Sequence, residues 1–319
     1  MSFFDENSSL PPGQSPTSPF TEEPQTDATA PEPSTSVAEP PLAGDPISLA
    51  AALPQPVLSY KPPLPEDLRI SWTWMHLVLF LFFGFFSLVL IQTAFAIYYT
   101  PLHRFANEKD FERFVLSKPA FAIGSMVLWY AFIFLFLYVT LSVLRGFPFW
   151  QTLGWRKITR RDGGRPRSPW LFFLGGCGLS VVVSAVTAKV QPPENVPIEE
   201  LFRFKNTALL FMAMAVLVAP LVEETVFRGY LYPLFAKYFG VATSVIITGV
   251  LFGLMHGAQL GWTWSLVSVL ILVGVIFTFA RARTGSVFAS FLLHLGYNST
   301  IALVTILGTW GFTKMPSTH

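Results

Sequence analysis

The chain contains few charged residues: Lys, Arg, Asp and Glu together make up 13% of its 319 positions. An average soluble domain contains about 25%. Hydrophobic residues make up 52%, and the run 77–90 contains no charge at all. These values exclude an ordinary soluble domain and predict an integral membrane protein. The formal net charge of +2 gives no indication of nucleic-acid binding.

Cysteine is almost absent, since Cys177 is the single one in the chain. It cannot form an intrachain disulfide, so neither a disulfide framework nor a cysteine-rich zinc cluster is available. Its apolar, glycine-rich surroundings favour a role in helix packing. Two hydrolase motifs are also missing, His-Glu-x-x-His and Gly-x-Ser-x-Gly. The absence of the second motif disfavours a serine protease.

The first 67 residues hold 15 of the 26 prolines and ten acidic residues against one lysine. Low hydrophobicity, high net charge and scattered proline cannot support a packed core. We therefore predict a disordered, acidic, Pro-rich tail over residues 1–70. Because it has no basic stretch followed by an apolar one, it is not expected to be a cleavable signal peptide.

Seven apolar segments follow this tail, and about 20 residues in a helix cross a hydrocarbon core of roughly 30 Å. The fold class predicted is all-α: a polytopic bundle of about seven to eight transmembrane helices with a disordered N-terminal tail. An eighth helix would result from a break of the long fourth segment at Pro220 or Pro233. The segments run over 72–99, 120–144, 169–190, 207–235, 241–257, 261–280 and 285–309.

The connection between the second and third segments is strongly basic. It carries seven Arg and Lys residues between 145 and 167, against Asp162 alone. The positive-inside rule therefore predicts that this connection is cytoplasmic. Counting outward, the N-terminus and the turns near 237–240 and 281–283 are expected in the cytoplasm, and the connections 101–119 and 191–206 outside.

Three of the last four segments carry isolated polar residues, and in two of them these residues are spaced four apart. Glu224 and Arg228 fall on one helix face and can form an ion pair, whereas the adjacent Glu223 projects about 100° away. A charged side chain at mid-bilayer costs roughly 2.5–3.5 kcal/mol on insertion scales, so such residues usually mark a functional site. A structural ion pair explains Glu224 and Arg228 but leaves Glu223 unexplained. We therefore predict that Glu223 is a general base that activates water.

His256 ends the fifth segment, and His294 and Asn298 share one face of the seventh. For His256 the alternative interpretation is an interfacial residue. For His294 it is a polar network within its own helix, with Ser290 and Asn298 on either side. Counted at 1.5 Å per residue from the nearest turn, Glu223, both histidines and Asn298 reach heights within about 8 Å of each other. This agreement favours one shared site.

Hydrolysis of an amide requires an activated water, a base, donors for the oxyanion and an acid for the leaving amine. Glu223 and His256 can bind and deprotonate the water, while His294 and Asn298 stabilise the oxyanion. A catalytic zinc is a second possibility, with Glu223, His256 and His294 as three protein ligands and water in the fourth position. The residues leave both mechanisms open.

The three motifs around these residues, in this order along the chain, resemble those of the CPBP family. This family includes type II CAAX prenyl endopeptidases and bacteriocin-processing or immunity proteins. The resemblance covers about 100 residues, from Asn206 to Leu307. It implies a catalytic helical core over 206–309, preceded by transmembrane helices and loops over 71–205 and followed by a C-terminal tail over 310–319. The motifs are Glu223-Glu224-x3-Arg228, Phe252-x3-His256 and His294-x3-Asn298.

The resemblance implies an intramembrane endopeptidase in which Glu224 and Arg228 support the site. The family is commonly labelled a metalloprotease, while a metal-free glutamate mechanism is also considered for it, so Zn²⁺ is an open cofactor. The expected partners are the lipid bilayer and a peptide or membrane-protein substrate, prenylated in one branch of the family, and the expected location is a bacterial cytoplasmic membrane. Two alternatives are a proton- or ion-coupled transporter, disfavoured by the lack of inverted repeats, and a non-catalytic immunity or scaffolding protein.

Overall fold

The structure is a computed structural model that describes residues 63–99, 105, 107–159, 168–190 and 204–311. Within these ranges every regular element is helical, which confirms the predicted all-α class. Six helices are long and apolar enough to cross a membrane, and a shorter apolar helix accompanies them. The chain is thus an integral, multi-pass membrane protein. In chain order the helices are α1 (Trp74–Tyr99), α2 (Glu108–Ser117), α3 (Pro119–Val143), α4 (Phe149–Thr152), α5 (Pro169–Thr187), α6 (Lys205–Phe239), α7 (Val241–Met255), α8 (Trp264–Thr284) and α9 (Val287–Gly308).

The long helix α6 continues through both of its prolines instead of breaking into two spans. A proline has no N–H to donate and its ring collides with the carbonyl four residues earlier. The chain widens into π-helical turns just before each proline, over Met214–Val218 before Pro220 and over Thr225–Leu231 before Pro233. Such π-turns are frequent at functional sites. The second π-turn begins directly after Glu223 and Glu224, and it carries Arg228.

Helices α5 and α9 pack against each other at two glycines, which brings their backbones into close contact. A Cβ atom on Gly176 would collide with the carbonyl oxygen of Leu293, and one on Gly296 with the carbonyl oxygen of Phe173. Small residues at helix contacts are typical of membrane bundles, where close backbone approach replaces the hydrophobic driving force. This packing positions α9, and with it the third sequence motif.

One end of the bundle, hereafter the basic end, brings together several connections that are distant in sequence. It comprises residues 63–72, the connection that follows α3, the C-terminal turn of α6 and the turn between α8 and α9. The bonds that join them are those from Arg281 Nη1 to Asp67 Oδ2 (2.6 Å), Arg145 Nη1 to Ser71 Oγ (3.2 Å), Lys237 Nζ to the Trp72 carbonyl (3.4 Å), Ser286 Oγ to the Arg156 carbonyl (2.5 Å) and Val287 N to the Gly154 carbonyl (2.9 Å).

The last residues of the predicted tail contribute to this end. Glu66–Leu68 form a short 3₁₀ helix, Leu68 is fully buried, and Asp67 bonds to Arg281. Residues 66–68, inside the range predicted as tail, are therefore folded against the helices. Residues 1–62 of the predicted tail lie outside the described residues, as do the arginine-rich stretch 160–167 and most of the predicted C-terminal tail.

Candidate active site

The adjacent glutamates of α6 have different surroundings. Glu224 is completely buried, whereas the side chain of Glu223 is 20% exposed and lies in the wall of a cavity. The difference follows from helix geometry, since neighbouring residues point about 100° apart. One carboxylate is therefore buried between helices and the other faces the cavity; their different tasks stay a prediction.

Glu224 forms the predicted ion pair with Arg228, at 2.7 Å between Oε1 and Nη1. The guanidinium also donates from Nε to the Thr278 hydroxyl (3.2 Å) and from Nη2 to the Gly274 carbonyl (2.9 Å). It lies over the ring of Phe252, 4.5 Å from the centroid. A charged group buried away from water is stable only when it is paired and hydrogen-bonded in this way. This network connects α6 to α7 and α8 and holds Glu224 in one orientation.

Each site histidine uses its Nδ1 atom to bond to a fixed acceptor. His256 Nδ1 lies 2.8 Å from the Phe252 carbonyl, and His294 Nδ1 lies 3.0 Å from Glu224 Oε1. A carbonyl or carboxylate oxygen only accepts, so Nδ1 is the donor in both rings. Each ring thereby presents its Nε2 atom to the cavity. A second partner that fixes the tautomer in this way is common for functional histidines.

The two Nε2 atoms converge on one oxygen of Glu223. The distance to Glu223 Oε2 is 3.9 Å from His256 and 3.8 Å from His294. This oxygen is buried and has no hydrogen-bond partner among the described residues. Both separations exceed a direct hydrogen bond and are in the range that a bridging water spans.

Asn298 lines the same cavity, one helical turn beyond His294. Its Nδ2 donates to the carbonyl of Ala215 (2.7 Å), in the first π-turn of α6. Ser290 donates to the Val287 carbonyl (3.0 Å). The polar groups of α9 thus bond in different directions, and His294 bonds to another helix. The alternative of a polar network within α9 is not what the structure shows.

The cavity has a volume of about 470 Å³, and Glu223, His256, His294 and Asn298 all contribute to its wall. Glu224 and Arg228 lie behind that wall and do not line it. The remaining lining is largely apolar and comes from α3, α5, α6, α7, α8, α9 and the connection between α7 and α8. Mostly apolar walls with a few convergent polar groups are the usual form of a ligand site.

Sequence reasoning missed Tyr130, a cavity residue on α3. Glu223 lines the same cavity. The Tyr130 hydroxyl makes no hydrogen bond to any residue in the described ranges, and it lines the cavity. A phenol in an apolar span is a weak signal, because tyrosine usually packs there. Only the fold brings α3 to the site.

The groups around Glu223 do not form a three-ligand metal site as they are placed. No set of three or more His, Cys, Asp or Glu side chains within the described ranges is arranged to hold a metal ion. Two ligands of one tetrahedral zinc lie about 3.3 Å apart, and here the separations from Glu223 are 3.8 and 3.9 Å. The predicted zinc ligands Glu223, His256 and His294 are neighbours but do not match that spacing.

Fold and site together define a polytopic helical membrane protein with a buried Glu–Arg–His network beside a cavity. Residues 205–300 match the family model described as type II CAAX prenyl endopeptidase Rce1-like. The matched segment carries all three motifs and is similar to membrane proteases of this family over 96 of the 319 residues. Helices α1 to α5 lie outside the match. Comparisons with curated proteins and with solved structures find no significant match.

Proposed function

We propose that this protein is an intramembrane endopeptidase that hydrolyses peptide bonds in the cavity beside Glu223. The observation that carries the proposal is the convergence of two histidine Nε2 atoms on one unpartnered oxygen of Glu223. A water molecule placed among these three groups would be bound and oriented for attack. The family match supports the same class of activity.

In this mechanism Glu223 takes a proton from the water as it attacks the scissile carbonyl, and His256 holds the water through Nε2. The proton then passes from Glu223 to the leaving amine, so that the carboxylate is regenerated. The reaction is balanced with one water per bond cleaved. Glu224 orients the ring of His294 through Nδ1.

Asn298 and His294 would stabilise the oxyanion. Asn298 keeps a second amide hydrogen after donating one to the Ala215 carbonyl. Since His294 Nδ1 already donates to Glu224, its Nε2 donates as well only when the ring carries both protons. Removal of one oxyanion donor costs about 10²–10³ in kcat in other hydrolases, which sets the effect expected for Asn298→Ala.

The test is cleavage of a quenched fluorogenic peptide library by the purified full chain in proteoliposomes. We expect Glu223→Gln to abolish cleavage and His256→Ala to reduce it strongly, with expression and thermal stability retained. Glu66→Gln is the matched control, because it makes the same isosteric change on an exposed residue away from the cavity. Full turnover by Glu223→Gln would refute the mechanism.

The same preparation distinguishes the mechanisms and functions that the sequence leaves open. A metal-free enzyme should retain activity after treatment with a chelator and contain less than one equivalent of zinc, whereas a metalloprotease loses turnover. A transporter would show substrate-dependent flux with no cleaved peptide, and a scaffolding protein would bind its partner equally well with Glu223→Gln.

A further inference from the structure

The two ends of the bundle differ in charge. The basic end contains Arg145, Arg156 and Lys157 in the connection after α3, and the remaining four arginines of that connection follow within ten residues. Arg281 and Arg283 end α8 at the same place. Hydrogen bonds between these segments establish that they share one end. A concentration of Arg and Lys in short connections marks the cytoplasmic face.

The cavity extends toward the opposite end of the bundle. Part of its wall, at His294 and Phe277, is buried among the helices. From there the lining follows α9 for 11 residues to Thr305, roughly 16 Å along the helix axis. It also includes Thr187, the last residue of α5.

The wall continues into the connection between α7 and α8 and the first turn of α8. Gln259 and Leu260 of that connection both line the cavity, and Gln259 is exposed. Leu266, the third residue of α8, lies 15 residues before Arg281 on the same helix. That separation is roughly 22 Å, about three quarters of the thickness of a hydrocarbon core of roughly 30 Å. The mouth of the cavity is thus remote from the basic end.

From these observations we infer that the active-site cavity opens on the non-cytoplasmic face of the membrane. Its substrate is accordingly an apolar, uncharged segment of an exported or membrane protein, presented from that face. The side of the opening follows from charge and geometry alone, whereas the assignment of a peptide substrate to the cavity rests on the proposed peptidase function. Among the described residues that line the cavity, the ionisable groups besides Glu223 and the two histidines are the phenols of Tyr130 and Tyr297. Such a wall fits an apolar chain better than a charged one.

The side of the opening is tested by cysteine labelling of the full chain in spheroplasts. In a Cys177→Ala background, Ala258→Cys reports on the cavity end and Lys157→Cys on the basic end; both positions are exposed. A membrane-impermeant maleimide should label Ala258→Cys in intact spheroplasts and Lys157→Cys only after permeabilisation. Any other pattern, including labelling of both reporters or protection of both, would overturn the inference.

A second measurement supplies a polar, quenched fluorogenic peptide library with apolar cleavage windows to spheroplasts that produce the wild type or Glu223→Gln. Wild-type cleavage should have the same rate before and after permeabilisation, within about twofold. Cleavage that requires permeabilisation would refute the non-cytoplasmic opening while leaving the peptidase intact. Absence of cleavage in both states counts against the peptidase function, and the labelling still decides which face the cavity opens on.

Discussion

Glu223 and Glu224 are neighbours in sequence, yet they differ in what surrounds them. One carboxylate oxygen of Glu224 accepts from both Arg228 and His294, at 2.7 and 3.0 Å. Glu223 has its Oε2 atom free of hydrogen bonds in the described ranges and faces the cavity. The Oε2 atom of Glu224 also has no hydrogen-bond partner among the described residues, so the two glutamates differ in exposure. Glu223 reaches the cavity, as a base that exchanges protons with a ligand must, whereas Glu224 is fully buried. In the proposed mechanism, taking the proton and orienting the other groups are tasks of neighbouring residues.

Glu224→Gln should therefore act on stability as well as activity. Removal of one partner of a buried ion pair leaves the other charge without compensation and costs about 3–5 kcal/mol. We expect a clear fall in the thermal midpoint of Glu224→Gln in detergent micelles, together with loss of cleavage. Glu223→Gln is the comparison, and it should lose cleavage with little change in the midpoint. Equal midpoints for the two variants would contradict this division.

Tyr130→Phe should weaken catalysis without destabilising the protein. The hydroxyl lines the cavity and bonds to none of the described residues, so its removal breaks no contact within the fold. A neutral hydrogen bond to substrate is worth about 0.5–1.5 kcal/mol, which predicts a reduction of kcat/KM of about 2- to 12-fold. Steady-state kinetics with a fluorogenic peptide measure this. Tyr98→Phe on the exposed face of α1 is the control and should match the wild type.

At the scale of the element, the site depends on irregularities in otherwise ordinary membrane helices. Helix α6 contains two π-turns, and the first contributes the Ala215 carbonyl that holds Asn298 while the second carries Arg228. In a regular α-helix of the same sequence, these groups would point in other directions around the helix axis. The prolines that force the π-turns therefore belong to the construction of the site.

Gly296→Ala tests the contact between α5 and α9. The added Cβ would collide with the Phe173 carbonyl, which belongs to backbone and cannot yield as a side chain would. Overpacking costs typically about 1–3 kcal/mol, and the shift of α9 should also move His294, two residues away. We expect a lower thermal midpoint and lower kcat. Gly308→Ala, where a Cβ meets nothing within 4 Å, is the control and should change neither quantity.

At the scale of the whole molecule, the segment that precedes α1 is bonded to the C-terminal turn of α8. Arg281 is fully buried and bonds to Asp67 at 2.6 Å, and 214 residues separate the two in sequence. Such a contact orders the entry of the chain into the bundle. It also joins a part of the predicted tail to the segment that matches the family model, which begins at residue 205.

Asp67→Asn should lower the free energy of unfolding by about 3 kcal/mol, because it removes the carboxylate that bonds to the buried Arg281 guanidinium. Detergent-dependent unfolding followed by tryptophan fluorescence gives this quantity, since Trp72 lies in the same segment and is fully buried. Glu66→Gln changes an exposed carboxylate of the same 3₁₀ helix and is expected to be neutral. A neutral Asp67→Asn would show that packing, not the ion pair, holds the segment.

The sequence by itself determined the helices and the residues worth inspecting. In lipid every backbone group must be satisfied internally, so an apolar run of about 20 residues is a helix whatever surrounds it. The spacing of Glu224 and Arg228 predicts their ion pair for the same local reason, because residues four apart share a helix face. Glu223, His256, His294 and Asn298 are conspicuous simply as polar groups in apolar spans.

Only the tertiary structure decided which of these groups meet and where the site opens. The bond from His294 to Glu224, in place of one within α9, depends on how α6 and α9 are rotated against each other. Tyr130 enters the cavity because α3 packs beside α6, and the mouth lies near Gln259 because α7 ends there. Helix rotation and neighbour choice come from side-chain packing between distant segments, and no local pattern in the sequence encodes them.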